Sequence, residues 1–211
     1  MPLEAHTPAP AGVPPIHGEP LPLEFANTVL PVRGELHDGL GTPEQLAWWL
    51  NACRDRMTTP LPDHALHAIT PFDIEHFVLL RQATRRLLDS YVHQCSPHPW
   101  DVALVNRVSS VGRPWPQLLW AEGTRPSALE ICTAPPLVMV QAEIAHALIG
   151  LLAGTSGVEP RACEAPGCVF FFDHARSRRA WCSTGCGNRA RVARHYARRQ
   201  AGSKPPCRET L

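Results

Sequence analysis

The sequence predicts a mainly α-helical protein, with a helical N-terminal domain that carries one small β-hairpin, followed by a compact module of a β-hairpin plus a helix. Three observations support this. Apolar residues recur at the i, i+3, i+4, i+7 spacing of amphipathic helices in several stretches of the first 156 residues. Four cysteines form two tight pairs, C-x4-C at Cys163 and Cys168 and C-x3-C at Cys182 and Cys186. Charge also divides the chain: from Arg161 onward there are eleven Lys and Arg against three acidic residues, while the preceding 160 residues hold nine against sixteen.

The first twenty-two residues contain seven prolines and little apolar periodicity, so residues 1–20 are expected to form a disordered, extended lead. Leu23 to Thr28 is too short to assign. Thr42-Pro43-Glu44-Gln45 is a helix start, with Thr42 as N-cap, Pro43 at the first helical position and Gln45 closing a capping box. Leu46, Trp49, Leu50 and Cys53 then form the buried stripe. A longer helix from about Asp73 to Val92 is expected to bury Phe77, Leu80, Thr84, Leu87 and Tyr91, and a shorter one runs from Trp100 to about Val111. Gln117 to Trp120 and Ala128 to Cys132 read as a β-hairpin around Glu122-Gly123-Thr124, and a helix from Pro136 to Leu152 stops at Gly154. This gives a body over residues 21–156, a module over 160–200 and a flexible tail over 201–211. No apolar run is long enough to span a membrane.

The cysteine spacing has a chemical reading. Two thiolates a few residues apart meet one ion only if the backbone turns sharply, and Gly167 and Gly185 stand just before Cys168 and Cys186. Val169 to Phe172 reads as a strand, Asp173 to Arg179 as a turn and Ala180-Trp181 as a returning strand, so the pairs would face each other across a hairpin. Ser183 is a candidate N-cap for a helix with Cys186 in its first turn. Such a layout resembles a treble-clef zinc finger with one structural Zn2+ held by Cys163, Cys168, Cys182 and Cys186. The competing readings are a disulfide pair or four unrelated core cysteines. Disulfides have little support without a signal segment, and cytoplasmic residence is expected. His174 is an alternative ligand.

The stretch Trp181-Cys182-Ser183 with Cys186-Gly187-Asn188-Arg189, both cysteine pairs, Phe172-Asp173 and Arg178-Arg179 resemble the CGNR zinc finger, a mostly bacterial family, from Arg161 to Arg199. The chain departs from the family pattern at His174-Ala175, at Ala180 and in a final cysteine spacing one residue shorter. Upstream, Leu23-Glu24-Phe25-Ala26-Asn27-Thr28, Asp38-Gly39-Leu40 and Trp48-Trp49-Leu50 resemble the ABATE domain that usually precedes this finger, with Glu24 for the usual Asp. The resemblance implies a transcriptional regulator connected with stress response.

The basic C-terminal part suggests a nucleic-acid surface, since clustered Lys and Arg supply most phosphate affinity. On a helix from Cys186 to Gln200, Arg189, Val192, Ala193 and Tyr196 share one face, and Arg191, Arg194 and Arg198 share another. The expectation is that Val192 and Tyr196 pack on the finger while the arginines face double-stranded DNA in the nucleoid, joined by Arg178 and Arg179 from the hairpin. A solvated basic face, or one docked on the acidic body or on a protein partner, is the alternative. Arg189 suits either a base contact or support of the cysteine beside it.

The body's histidines give no His-x3-His pair with a third ligand, and no phosphate loop or nucleophile elbow appears, so no enzyme is expected. His64 and His67 are placed in a Pro-flanked linker and His93 and His98 around a loop. Cys53 and Cys132 read as core thiols, and Cys95 and Cys207 as loop or tail thiols. Asn27 either bridges backbone groups or contacts a ligand between helices, and Arg86 is a parallel case. The body is thus expected to sense a small-molecule effector or hold a protein partner, with a protein-interaction adaptor as the alternative for the whole chain.

Overall fold

Leu21–Ala26 forms a first short helix, α1, at the centre of the molecule, and all six of its residues are buried. The computed structural model describes residues 10–32, 34–112, 115–131 and 133–202. Glu24 is tolerated inside because its carboxylate accepts from the His17 and Glu19 N–H groups, each at 2.9 Å, and pairs with Arg56 at 3.1 Å. The expected disordered lead is therefore ordered from residue 10 onward, with Pro14 and Glu19 buried and Ile16 against the core. An extended Pro-rich segment packs without a ladder of its own, and composition does not reveal where it lies.

Two strands follow, β1 (Val29–Val32) and β2 (Glu35–Asp38), paired antiparallel with Val29 opposite Asp38. The sequence reading did not find this hairpin. Its strands have four residues each, and β2 is exposed throughout, so no alternating apolar pattern marks it. The hairpin's use is local: it delivers Asp38 to Arg81.

Helix α2 (Pro43–Cys53) begins as predicted, the Gln45 N–H donating to Thr42 Oγ1 at 3.3 Å, and buries Leu46, Trp49, Leu50 and Cys53. The Gln45 side chain reaches the Ala11 carbonyl instead, at 3.1 Å, so the capping box is left half made. The complete box belongs to α4. After a 3-10 turn at Arg54–Arg56 and a short helix α3 (Asp63–His67), which replaces the linker expected around His64 and His67, α4 runs Pro71–Val92 with Thr70 and Asp73 reciprocally bonded. The same Thr-Pro grammar that marked α2 stands at Thr70-Pro71. Phe77, Leu80, Thr84 and Leu87 are buried as expected, but Tyr91 is 45% exposed because the last turn passes beyond the packed neighbours.

Helices α5 (Pro99–Val111) and α6 (Pro136–Leu152) flank a second hairpin, β3 (Trp115–Leu119) with β4 (Ser127–Ile131), one or two residues earlier than predicted. The core lies where α1, α2, α4 and α6 meet. Phe25 stands 5.4 Å from Trp49 and 6.2 Å from Phe77, centroid to centroid. Glu143 on α6 accepts from the Thr58 and Thr59 N–H groups at 2.6 and 2.9 Å, fastening the loop after α2.

The C-terminal module differs most from expectation. Strand β6 (Phe171–Asp173) pairs with β5 (Pro160–Ala162), upstream of the first cysteine, and not with Ala180-Trp181. Asp173 ends β6 by capping a single-turn helix, α7 (His174–Ser177), where a turn was predicted: its Oδ1 accepts from Ala175 N–H at 3.0 Å. Arg178 follows in the left-handed region at φ 45°, and Ala180-Trp181 forms no strand. Helix α8 spans Thr184–Gly202. Among the described residues no helix is long and apolar enough to cross a membrane.

Candidate metal centre and basic helix

The β5–β6 hairpin closes around the first cysteine pair. The Cys163 N–H donates to the Phe170 carbonyl at 2.8 Å and the Cys168 N–H to Ala165 at 2.9 Å, with Gly167 at φ +72° turning the chain between them. That angle favours glycine. Gly185 does not share the role, since it lies inside α8. The second pair sits at the start of α8, where Ser183 Oγ accepts from the Cys186 N–H at 3.2 Å, as its place in the sequence predicted. Gly187 is needed for a different reason: a Cβ there would lie 3.0 Å from Trp181 Cδ1, so the indole lies flush on the first turn.

These turns bring the Sγ atoms of Cys163, Cys168, Cys182 and Cys186 within 4.8 Å of one another. Cys168 to Cys182 is 3.6 Å and Cys182 to Cys186 is 3.4 Å. A tetrahedral zinc with Zn–S bonds of about 2.3 Å spaces its sulfurs by about 3.8 Å, so the donor set fits. Hydrogen bonds from Cys168 and Cys182 lower the Cys163 thiol, while the same contact with Cys163 raises Cys182, because four thiols so close cannot all ionise without a cation. The four cysteines hold one structural zinc ion, which ties the knuckle to α8. His174 is not a ligand; its Nδ1 lies 3.1 Å from the Arg179 carbonyl.

The candidate arginines separate into two groups. Arg189 donates to Cys186 Sγ at 3.0 Å, which favours support of the ligand over a base contact. Arg179 is removed from the expected DNA surface: it pairs with the buried Glu19 and lies 5.3 Å over the Phe172 ring. Arg178, Arg191, Arg194 and Arg198 are exposed. Arg191 is held by Asn188 Oδ1, and Arg194 Nε reaches the Ala190 carbonyl at 3.3 Å. Val192 and Tyr196 do not pack on the finger, being 53% and 60% exposed. The periodicity identified their shared face correctly, but α8 extends past the small finger after Ala190, and the side chains of residues 191–198 are all exposed.

Finger and body are joined by polar staples, of which Asn27 stood in the sequence as a candidate for either a backbone bridge or a ligand contact. Asn27 Nδ2 donates to the Phe171 carbonyl and Asn27 Oδ1 accepts the Phe171 N–H, both at 2.8 Å, so its amide bridges backbone groups across the junction. Phe171 itself enters the core of the body. Arg85 donates to the Ala26 carbonyl at 2.6 Å and to Val169 at 3.0 Å, one residue from a zinc ligand. Arg86 holds the buried Asp101 by two bonds of 2.8 and 2.6 Å, yet remains half exposed at the edge of a cleft. Cys53 is inert, its thiol pushed up to about 12 by burial, and Cys95 is exposed; Cys132 and Cys207 lie outside the described residues.

A mainly helical body with a four-cysteine zinc finger docked on it and a basic helix leading away defines a zinc-finger protein. Family comparison carries this further. Residues 19–155 match the ABATE model, described as "Putative stress-induced transcription regulator", and residues 160–199 match the CGNR zinc finger, in that order. The chain belongs to the ABATE family. No curated protein matches it.

Proposed function

We propose that this protein is a zinc-dependent DNA-binding transcription regulator that lays α8 against duplex DNA. The observation that carries the reading is the exposure of α8: every side chain from Arg191 to Arg198 is exposed, with Arg191, Arg194 and Arg198 along one face. A helix in a globular protein ordinarily covers a core with one stripe. This one is anchored at its first turn by the metal and then stands clear of the acidic body, which supports contact with an outside polyanion. Phosphate contacts dominate such binding, and Arg191 or Arg194 is placed to read a guanine edge in the major groove. Arg178 adds charge from the finger's corner.

The exposed Val192 and Tyr196 beside the arginines favour a second reading, an adaptor that docks a protein partner through the same helix. In either reading we propose a regulator, and not a catalyst, working in the cytoplasm, at the nucleoid when bound to DNA. Three body side chains of a catalytic type are engaged otherwise. His98 accepts the Trp100 N–H at 3.2 Å, and the buried Glu24 and Asp101 are paired with arginines.

The test is a salt-titrated binding assay on duplex DNA with the zinc-loaded protein and the Arg191, Arg194, Arg198 triple alanine variant. The variant should keep its zinc and lower the slope of log affinity against log salt by about three, roughly one per phosphate contact. Equal affinity of parent and variant at physiological salt would remove α8 as a DNA surface and leave the adaptor reading.

A further inference from the structure

A cleft of about 330 Å³ opens between β2 and α4, at the small end of the range for ligand pockets. Successive turns of α4 line it with Arg81, Gln82, Arg85 and Arg86, and β2 adds His37 and Asp38. Two of the three guanidiniums are neutralised. Arg81, buried to 2%, grips Asp38 by bonds of 2.6 and 2.7 Å, and Arg86 is held by Asp101. Arg85 touches no carboxylate among the described residues; its partners are the Ala26 and Val169 carbonyls and the Phe171 ring. The negative charges it feels are Asp89, an exposed carboxylate 3.2 Å from His93, and the sulfur of Cys168. Burial, and then the like charge of Arg81, lowers the Arg85 pKa from its ordinary value. An anion in the cleft would offset that repulsion. Donors are also free there: Arg86 spends Nε and Nη2 on Asp101, and the Gln82 amide makes no hydrogen bond among the described residues.

We propose that this cleft binds a small oxyanion-bearing metabolite, a carboxylate or a phosphate monoester, between Arg85, Arg86, Gln82 and His37, and that occupancy tightens the finger on the body through Arg85. The volume and the apolar wall of Val29 and Leu36 limit the ligand to a compact one. Arg85 provides the coupling, because the guanidinium that faces the anion also holds the Val169 carbonyl beside Cys168.

Calorimetry on the zinc-loaded full chain, at ionic strength matched with chloride, tests this with inorganic phosphate, acetate and succinate as probes. Saturable binding of phosphate alone identifies the phosphate source, and of acetate or succinate the carboxylate source. Gln82→Glu and His37→Glu each place a negative charge in the cleft from a different wall on an exposed position. Both should weaken binding at least tenfold while zinc content and unliganded melting temperature stay at the parent's values. No saturable heat with any probe, or undiminished binding in both variants, overturns the site. Zinc transfer to a chelator should slow when the cleft is filled; an unchanged rate with a saturated cleft overturns the coupling. No DNA enters these measurements, so their failure is separate from failure of the DNA-binding reading.

Discussion

The body and the finger solve the same problem by different means. The body buries Trp49, Phe25, Phe77 and a dozen aliphatic side chains among four helices, so its order comes from apolar packing. The finger's own buried cluster is little more than Phe172, Ala165 and the cysteines. A core of that size cannot offset the entropy of ordering about forty residues, and the metal supplies the difference. The lesson concerns order of loss: the finger should be conditional on zinc, on a body that does not depend on it.

The largest expected effect breaks the comparison outright. Cys168→Ser or Cys186→Ser should release zinc and unfold the module, since structural sites contribute on the order of 10 kcal/mol or more to folding. Limited proteolysis should then cut between residues 160 and 200 while the body keeps its helical circular dichroism. Simultaneous loss of the body's cooperative melting would show that the docked Phe171 makes the two parts one unit.

Within the body, polar staples are expected to matter next. Asp38→Ala leaves Arg81 buried without its carboxylate and should cost about 3–5 kcal/mol, read from chemical denaturation, with zinc still bound. A loss under 1 kcal/mol would mean that water reaches the guanidinium through the cleft and the pair is not a staple. Asn27→Ala tests the junction itself. It orphans the buried N–H and C=O of Phe171 and should cost about 1–3 kcal/mol. It should also speed zinc release to a chelator, and an unaltered release rate would show that the finger holds itself without the body.

The mildest probe is pH. Burial opposes ionisation of Asp38, but the Arg81 hydrogen bond, the Leu40 N–H and the Arg81 charge outweigh it and hold its pKa below the usual value. Glu143 is likewise lowered, against burial, by the Thr58 and Thr59 donors. A lowered folded-state pKa gives stability that is present above the unfolded value and is lost only as pH falls through the folded one. Those staples should therefore survive until strongly acidic conditions. Zinc thiolates compete with protons at higher pH. On acid titration a zinc indicator should report release before circular dichroism reports loss of the body, and coincident transitions would contradict the separation.

Legibility followed the range of the interactions. Thr42-Pro43 announced α2 and its stripe Leu46, Trp49, Leu50, Cys53, because capping and periodicity act within one helix. The zinc ligands were legible for the same reason, two short spacings with Gly167 at the turn. The β5–β6 pairing was not, because a three-residue strand such as Pro160–Ala162 carries no pattern of its own and its partner is fixed by contacts across the intervening cysteine turn. Val192 and Tyr196 were assigned the correct face and the wrong neighbour, since periodicity reports which residues align but not where the finger ends.

By itself the amino-acid order determined a helical body, a four-thiolate zinc module and a basic last helix, properties set by residues close together in the chain. The tertiary structure alone decided that Asn27 and Arg85 staple body to finger, that Arg179 belongs to Glu19, and that three arginines of α4 meet His37 and Asp38 in one cleft. Asn27 and Phe171 lie 144 positions apart. A side chain's local pattern states what it can bond but not which distant group the fold will bring to it, and a buried amide or guanidinium takes the partner that satisfies it.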